Sequence, residues 1–438
     1  MSSEWKETTI GDQLTLQRGF DITRKQQVEG DIPVVSSGGI SSYHNEFKVS
    51  GPGVVLGRKG TLGTVFYLPT NYWPHDTSLW VKDFKGNNPK FVYYFFRNMS
   101  TVLKDMDVGA ANPTLNRNHI HPAEILWPPL SEQKRIAHIL GSLDDKIELN
   151  RKMNETLEGM AQALFKSWFV DFDPVIDNAL AAGHPIPDEL LAKAEKRKAQ
   201  LSQSNSELNI QNSKLSSLFP SEFTFTDELG WIPKGWEVKA LDQFFNLIGG
   251  GTPKRSEEDY WGGDIPWYSV KDVPNDGDVF VIDTGEKITE LGLKKSSTKL
   301  LREGMTIISA RGTVGKLAMV GVPMAFNQSC YGIEGKDQIG DFFTFFCLQD
   351  AIERLQQNTH GAVFDTITKG TFETVRSVLP HNEILDHFEK MIQGSMSKIK
   401  INNQENVSLT KLRDTLLPKL LSGDADLQSA KDLASEVL

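Results

Sequence analysis

The most restrictive feature of the sequence is an internal repeat of about 250 residues. The segment GAANPTLNRNHIHPAEILWP, which begins at Gly109, aligns with GAVFDTITKGTFETVRSVLP, which begins 252 positions later at Gly361. The same offset aligns residues 58–63 with residues 310–315, whereas Ile32 aligns with Ile265 at an offset of 233. Insertions therefore lie in the front part of each copy, and the back part has a constant length. A repeat of this length is a duplicated domain, since solenoid units are much shorter.

Each copy ends in a segment with the pattern of a coiled-coil helix. Apolar and small residues recur at steps of four and three, which is typical of the seam between paired helices. Two asparagines lie in the middle of each seam, where a buried amide fixes the register of a pair. A helix from Ser131 to Phe169 would be about 58 Å long. This length favours pairing between the two helices over the alternative, in which each helix packs only on its own domain. The predicted seam residues are Ile136, Leu140, Leu143, Ile147, Asn150, Asn154, Leu157, Leu164, Phe388, Ile392, Ile399, Asn402, Asn406, Leu409 and Leu416.

The front part of each copy predicts a mostly-β domain, because short β-branched and aromatic runs alternate with glycine and Asn/Asp turns. A stretch with prolines, one charged helix and a Ser/Asn-rich run joins the copies. The predicted order is a first domain (residues 1–130), a long helix (131–170), a linker with a short helix (171–234), a second domain (235–380), a second long helix (381–421) and a C-terminal tail (422–438).

Composition limits the setting and the partners of the chain. The chain has 57 acidic and 47 basic residues, a formal net charge of −10, which argues against a chain that wraps nucleic acid unaided. No apolar run approaches the ~20 residues of a membrane helix, so we expect no membrane-spanning segment. Two cysteines, Cys330 and Cys347, cannot supply a disulfide framework or a four-cysteine zinc site. Their scarcity favours a reducing cytoplasm.

The sequence lacks the recognised motifs of several enzyme classes. It has no nucleotide phosphate loop, no dinucleotide-binding glycine motif and no adenine-methylating tetrad. The pairs His75-Asp76 and His119/His121 are the best metal or triad candidates, yet neither has a serine or cysteine partner at a recognised spacing. Structural or solvent-facing histidines are commoner than ligands. We therefore predict no catalytic residue and no metal site.

Two glycine-flanked basic turns, residues 58–61 and 311–316, are the best candidates for nucleic-acid contact. Such turns can bring backbone N–H groups to phosphates and arginine to guanine edges. The alternative is a turn that needs glycine only for its positive φ. The formal charges are +1 for residues 1–130 and −4 for residues 234–380, so most of the electrostatic grip must come from other subunits. Together with the loops in which the copies diverge, the turns give these candidate DNA-binding residues: Ser37, Ser41, His44, Arg58, Lys59, Thr61, Arg117, Tyr268, Lys271, Arg311, Thr313, Lys316 and Lys369.

Four motifs resemble the specificity subunit of type I restriction–modification systems. PPLSEQKRIA (residues 128–137) resembles the start of a spacer helix of that family, and LFKSWFVDF (164–172) resembles its end. GWIPKGW (230–236) is similar to the entry of a recognition domain, and LLPKLLSG (416–423) to the close of the second spacer helix. In the second copy the start motif is reduced to PHNEI (380–384). The resemblance covers nearly the whole chain.

The resemblance implies an α+β fold with two mostly-β target recognition domains related by pseudo-two-fold symmetry and separated by two long antiparallel coiled-coil spacer helices. Each domain would read one half of a bipartite site in double-stranded DNA. The implied partners are two methyltransferase subunits, which dock on the spacer helices, and restriction/translocase subunits, all in a prokaryotic cytoplasm. S-adenosylmethionine, ATP and Mg would act in those subunits, and this chain would be non-catalytic and without a cofactor.

Two alternatives stay open from the sequence. One is a non-catalytic protein-binding scaffold without a DNA partner. The other is an enzyme with an unfamiliar site around His75 and Asp76.

Overall fold

The computed structural model describes residues 5–107, 113–203, 215–275, 277–358 and 366–438. Residues 109–112 and 361–365, in the aligned glycine motifs, lie outside the described residues, as does most of the Ser/Asn-rich run. The chain divides into two compact units. The first unit contains Met1–Glu148 with Ser408–Leu438, and the second contains Leu149–Val407. Each unit therefore combines one β domain with parts of both long helices, which differs from the predicted succession of separate segments.

The two long helices lie within one residue of their predicted bounds. The first long helix is Leu130–Phe169 and the second long helix is Asn382–Ser422. The first begins after Pro129, whose carbonyl accepts hydrogen bonds from the backbone N–H groups of Glu132 (2.9 Å) and Gln133 (3.1 Å). Proline has no N–H to lose at a helix start, which suits it to this position.

In both units the long helices pair in opposite directions. In the first unit, Leu140 and Leu143, near the start of the first helix, share a core with Leu416 and Leu420, near the end of the second. In the second unit, the ring of Phe165 near the end of the first helix lies 5.9 Å from that of Phe388 near the start of the second. The predicted antiparallel pair is therefore confirmed.

The helices also pack on the β domains, but not on their own domain only, so the alternative was wrong. Both cores combine side chains of the helix pair with side chains of the sheets. Most predicted seam residues are buried, whereas Leu157, Leu164 and Asn406 are half-buried.

Three sheets are found among the described residues of the first domain. A four-stranded antiparallel sheet has the spatial order Thr15–Arg18, Ser78–Asp83, Gly53–Gly57 and Val65–Leu68. A three-stranded sheet with one parallel pair has the order Gly39–His44, Ile32–Ser36 and Trp73–Pro74. An antiparallel pair that leads into the first long helix consists of Lys6–Thr9 and Glu124–Trp127. The shorter helices here are Ile10–Gln13, Pro89–Asn98, Ser100–Asp105 and Arg117–Ile120.

The second domain repeats this topology and adds a fifth strand, paired in parallel, at one edge of the main sheet. Its main sheet has the order Phe245–Gly249, Cys330–Gly335, Thr306–Ser309, Leu317–Val320 and Phe280–Val281. Its three-stranded sheet, again with one parallel pair, has the order Lys287–Ile288, Trp261–Tyr268 and Ala325–Phe326. The pair leading into the second long helix consists of Glu237–Ala240 and Arg376–Leu379. The shorter helices here are Leu241–Phe244, Glu290–Lys294, Asp341–Asn358 and Lys369–Thr374, with 3₁₀ turns at Glu258–Tyr260 and Val270–Asp272.

Residues that are aligned at the offset of 252 also lie in equivalent secondary-structure elements. Strand Ser78–Asp83 of the first domain aligns with Cys330–Gly335 of the second, and helix Pro89–Asn98 begins at the position aligned with the start of Asp341–Asn358. From these strands onward, residues that are aligned at the offset of 252 lie in equivalent strands and helices of the two domains. The predicted duplication is therefore confirmed at the level of topology.

The linker and the tail hold more structure than predicted. The linker contains the helices Asp173–Ala182 and Leu191–Gln203, a 3₁₀ turn at Asp188–Leu190, and the strands Phe223–Thr226 and Gly230–Pro233. The tail forms the helix Leu427–Val437, which buries Leu427, Ala430 and Ala434 in the core of the first unit. Among the described residues, no helix is both long and apolar enough to cross a membrane.

Candidate nucleic-acid interface

The basic turn of the first domain follows strand Gly53–Gly57 and is held by its backbone. The N–H groups of Arg58 and Lys59 both donate to the carbonyl oxygen of Thr77, at 3.0 Å each. The same two N–H groups lie 3.1 Å from the hydroxyl oxygen of Ser37. Gly60 has a φ of +77°, a region that favours glycine. The glycine is therefore required by the turn, as the alternative reading held.

The second domain builds the same turn with the same bonds at aligned positions. The N–H groups of Ala310 and Arg311 donate to the carbonyl oxygen of Ser329 at 2.8 and 3.3 Å, and Gly312 has a φ of +82°. Ile367 N–H donates to the carbonyl of Ala310, as the aligned pair does in the first domain. Two copies of one backbone thus present different side chains.

The turns expose most of their polar side chains. Lys59 and Thr61 are exposed in the first turn, and Arg311, Thr313 and Lys316 are exposed in the second. Such side chains can reach a nucleic acid without a change of backbone conformation.

The side chain of Arg58 is half-buried, and one of its N–H donors is already hydrogen-bonded within the protein. Its Nη1 donates to the carbonyl oxygen of Asp76 at 3.2 Å. Burial and the neighbouring charge of Arg18 lower its pKa, against an opposing effect of Asp76. Arg58 and Arg18 are therefore two like charges that share one small region of the surface.

Four further candidates lie at the surface, apart from the turns in sequence. Ser41, Arg117, Lys271 and Lys369 are exposed. The Nη1 of Arg117 donates to the carbonyl of Leu16 at 3.3 Å.

Three candidates are buried and cannot contact a base in this structure. The side chains of Ser37, His44 and Tyr268 lie in the interior, with 5%, 5% and 0% exposure. Ser37 orients the basic turn, and the Nδ1 of His44 accepts a hydrogen bond from the N–H of Val28 at 3.0 Å. Tyr268 ends the central strand of its sheet, and burial raises the pKa of its phenol. Their predicted role as direct contacts is therefore wrong.

The histidines singled out as metal or triad candidates have separate environments. The Nε2 of His121 accepts from the N–H of Leu16 at 3.0 Å, so this ring is a structural acceptor, and His119 is exposed. His75 lies beside two carboxylates. Asp21, His75 and Asp76 each bring one potential ligand atom within 4.8 Å of the others.

Sequence reasoning missed Arg18, which ends strand Thr15–Arg18 beside the first turn. Its Nη2 lies 2.6 Å from Oδ2 of Asp76, and the Nδ1 of His75 lies 3.2 Å from the other carboxylate oxygen. Burial raises the pKa of Asp76. The hydrogen bond from Arg18 and the charges of His75, Arg18 and Lys59 together lower it by more, so the pKa of Asp76 lies below its usual value. The two partners are 58 positions apart, and no local signal links them.

The long helices meet through a buried polar cluster in the second unit. Asn154 and Asn402 exchange hydrogen bonds with neighbouring amides: Asn402 Nδ2 donates to Asn154 Oδ1 at 2.8 Å, and Asn154 Nδ2 donates to Asn403 Oδ1 at 2.7 Å. Asn150 Nδ2 donates to Asn406 Oδ1 at 3.0 Å. A slipped register would leave these amides unpaired, so the asparagines define the alignment of the pair.

Comparison with known proteins gives one consistent answer. The sequence matches the family model of the type I restriction modification DNA specificity domain over residues 2–159 and 233–411. The specificity subunit of the type I restriction enzyme HindI of Haemophilus influenzae is 31% identical over 328 residues, which cover 71% of each chain. The MjaIX specificity subunit of Methanocaldococcus jannaschii is 29% identical over 343 residues, 76% of this chain and 68% of that protein.

The fold is also similar to that of a solved structure. The crystal structure of a type I restriction–modification system S subunit from M. genitalium covers 96% of both chains, with a TM-score of 0.54 and 16% sequence identity.

Proposed function

The chain belongs to the family of type I restriction modification DNA specificity domains, and from this premise we propose that it is the DNA-recognition subunit of a type I restriction–modification complex. Each β domain reads one half of a bipartite site in double-stranded DNA. The long helices link the two readers and provide the docking surface for two methyltransferase subunits.

The observation that carries this proposal is the pair of equivalent basic turns. Lys59 and Arg311 occupy aligned positions, are exposed, and stand on backbones with matching hydrogen bonds and matching positive-φ glycines. A duplicated scaffold with differing side chains fits two readers of different sequences, because phosphate contacts position a protein and base contacts specify its site.

The charge of the chain supports a shared grip on DNA. The net charge of −10, with only +1 on residues 1–130, is far from the strongly basic balance of a domain that binds DNA alone. We therefore assign most phosphate neutralisation to the partner subunits.

The partner subunits also supply the chemistry in this proposal. Methyltransferase subunits bind S-adenosylmethionine, and restriction/translocase subunits bind ATP and Mg, so the present chain acts as a non-catalytic reader in the cytoplasm of a prokaryote. Its two cysteines are free and buried, which is compatible with that compartment.

The test is to map methylated adenines in DNA exposed to the complex of this chain with its methyltransferase subunits. We expect methylation at one bipartite, asymmetric sequence. The matched variants Lys59→Ala and Arg311→Ala alter opposite half-sites if these side chains read bases. A sequence-independent loss of affinity, with a salt slope smaller by about 1, identifies a phosphate contact instead.

A protein-binding scaffold without a DNA partner is the second candidate function. It predicts that the assembled complex retards no duplex DNA in a gel-shift assay and leaves no sequence-specific methylation. Either DNA retention or a defined methylation motif would contradict it.

A further inference from the structure

The ion pair between Arg18 and Asp76 has the geometry of a side chain prepared for a ligand. The side chain of Asp76 is 19% exposed, whereas that of Arg18 is 55% exposed. One nitrogen of Arg18, Nη2, contacts Oδ2 of Asp76 at 2.6 Å. The guanidinium is thus tied at one corner to a half-buried carboxylate, and its other N–H donors are available at the surface.

The backbone of Asp76 is fixed beside the basic turn, and its side chain lies next to His75. The Nδ1 of His75 lies 3.2 Å from Oδ1 of Asp76, and the backbone carbonyl of Asp76 accepts from Arg58. The next residue, Thr77, supplies the carbonyl that holds the basic turn. The support of Arg18 is therefore continuous with the support of the candidate interface.

The chemistry of this cluster favours a ligand with acceptor atoms over a cation. Asp21, His75 and Asp76 have suitable spacing for a metal ion. However, Arg18 occupies one oxygen of Asp76, and the backbone N–H of Thr77 lies 3.3 Å from Nδ1 of His75. A cation would have to displace these bonds beside positively charged side chains, which repel it.

We propose that Arg18 reads a guanine in the half-site bound by the first domain, and that Asp76 is its positioning residue. This inference rests on the proposed function. Guanine presents two acceptors, O6 and N7, in the major groove, and a guanidinium matches them with two parallel N–H donors. A carboxylate that holds the side chain in place lowers the entropy lost on binding and keeps the reading geometry.

The second domain lacks this arrangement. The position aligned with Asp76 is Gln328, whose side chain is hydrogen-bonded to the hydroxyl of Thr252. Gly249 lies opposite Tyr331, at the place where Arg18 lies opposite Leu79 in the first domain. The proposed guanine contact is therefore specific to the half-site of the first domain. Gln328, which is aligned with Asp76, provides the control position in the second domain.

The experiment maps methylated sites of the assembled complex with the wild-type chain and the variants Arg18→Gln, Arg18→Lys, Asp76→Asn, Asp76→Glu, Asp21→Asn and Gln328→Ala. The wild-type motif contains a guanine in one half-site. Arg18→Gln and Arg18→Lys lower the preference for that guanine about tenfold or more and leave the other half-site unchanged. Asp76→Asn weakens the same preference by a smaller factor, Asp76→Glu restores part of it, and Gln328→Ala does not affect that position.

Several results would overturn the inference. These are a first half-site without guanine, an equal loss of methylation at all sequences in the Arg18 variants, or methylation that depends on added Mn²⁺ or Zn²⁺ and is lost equally in Asp21→Asn. Arg18→Lys keeps a cation beside Asp76, so it remains informative if Arg18→Gln fails to fold. A wild-type complex without a defined motif would refute the proposed function itself, before any variant is compared.

Discussion

The helix pair meets the two β domains with different chemistry. In the first unit, Nη1 of Arg413 lies 2.6 Å from Oδ1 of Asp144, and the hydroxyl of Tyr94 donates to Oδ2 of the same carboxylate at 2.5 Å. Arg413 is 8% exposed, so this contact lies inside the seam. The junction is therefore a partly buried ionic network.

In the second unit the aligned positions are apolar. They are Ala161, Met396 and Phe346, with 2%, 0% and 1% exposure. The rings of Phe165, Phe346 and Phe388 contact one another with centroid separations of 5.9 to 6.4 Å, as is usual for interacting aromatic pairs.

The comparison shows that one backbone geometry can be stabilised in two ways. Burying an ion pair has a desolvation cost and contributes little net free energy, but an unmatched partner is strongly destabilising. Burying rings contributes free energy in proportion to area and tolerates small shifts. We therefore expect the stability of the first unit to depend mainly on keeping both members of the ion pair. The stability of the second unit should depend mainly on the volume of its buried rings.

The largest effect is expected for Phe388→Ala in the second unit. Phe388 is fully buried against several rings, so its truncation leaves a cavity and lowers the free energy of unfolding by about 4 kcal/mol. The control is Met160→Ala on the first long helix, 63% exposed, with an expected change below about 0.5 kcal/mol. Hydrogen exchange in residues 149–407, measured as a function of denaturant concentration, gives the free energy of unfolding of both variants. Equal small losses would show that the ring cluster does not hold this junction.

Arg413→Ala gives the next largest effect, in the first unit. It removes the nearer of the two cations beside the half-buried Asp144, since Nη1 of Arg97 stays 3.7 Å from Oδ2, and we expect a loss of about 3 kcal/mol. Adding Asp144→Met recreates the Ala–Met pair found at the aligned positions of the second unit and recovers part of the loss, because the hydroxyl of Tyr94 then has no acceptor. The same unfolding measurement on the single and double variants checks this. An additive or larger loss in the double variant would contradict the proposed equivalence of the two junctions.

The pH dependence of the second unit provides a third test. Burial raises the pKa of Glu389 from about 4.5 to about 7, against the backbone hydrogen bonds that it accepts from Phe343 and Phe342. Since the folded pKa lies above the unfolded one, the contribution of Glu389 to stability is fully present below about pH 4.5 and is lost as pH rises to about 7. We expect about 3 kcal/mol over this window. Glu389→Gln should flatten the difference between pH 5 and pH 8, and an unchanged profile would refute this assignment.

The smallest effect concerns the register of the helices. Asn154→Ala leaves the amide of Asn402 without its acceptor, at an expected loss of about 1 kcal/mol. The double variant Asn154→Leu with Asn402→Leu is expected to recover part of this loss, because the amide of Asn402 leaves the core together with its acceptor, whereas Oδ1 of the buried Asn403 still loses its donor. Its further cost appears as a mixed register, measured by disulfide trapping between engineered cysteines on the two helices. A unique register in that double variant would assign the alignment to other contacts.

Periodic features of the fold could be predicted from the sequence. Steps of four and three located both long helices, because helix geometry converts spacing directly into a face. The asparagines in each seam indicated that polar contacts fix the register, but the pairing of Asn150 with Asn406 and Asn154 with Asn402 came from the structure. The repeat likewise predicted that the two β domains share a topology.

Tertiary placement could not be predicted in the same way. Ser37 and Tyr268 lie in loop-like or strand-end sequence, and only the folded sheets bury them. Arg18 and Asp76 meet although they are 58 positions apart. The C-terminal segment was predicted as a tail but forms a helix. A short amphipathic helix of this kind gains its stability from packing, here on the core of the first unit, and the sequence alone does not show that packing.

The most direct test of the central claim is to remove one heptad from each helix and map the methylated site. Residues 149–155 and 401–407 occupy aligned positions in the two copies, and they face each other through the pairs Asn150 with Asn406 and Asn154 with Asn402. Their joint deletion shortens both helices by about 10 Å. If the helices separate two DNA readers, the spacing between half-sites falls by about three base pairs while both half-site sequences stay the same. An unchanged spacing in a complex that still methylates DNA would contradict the account.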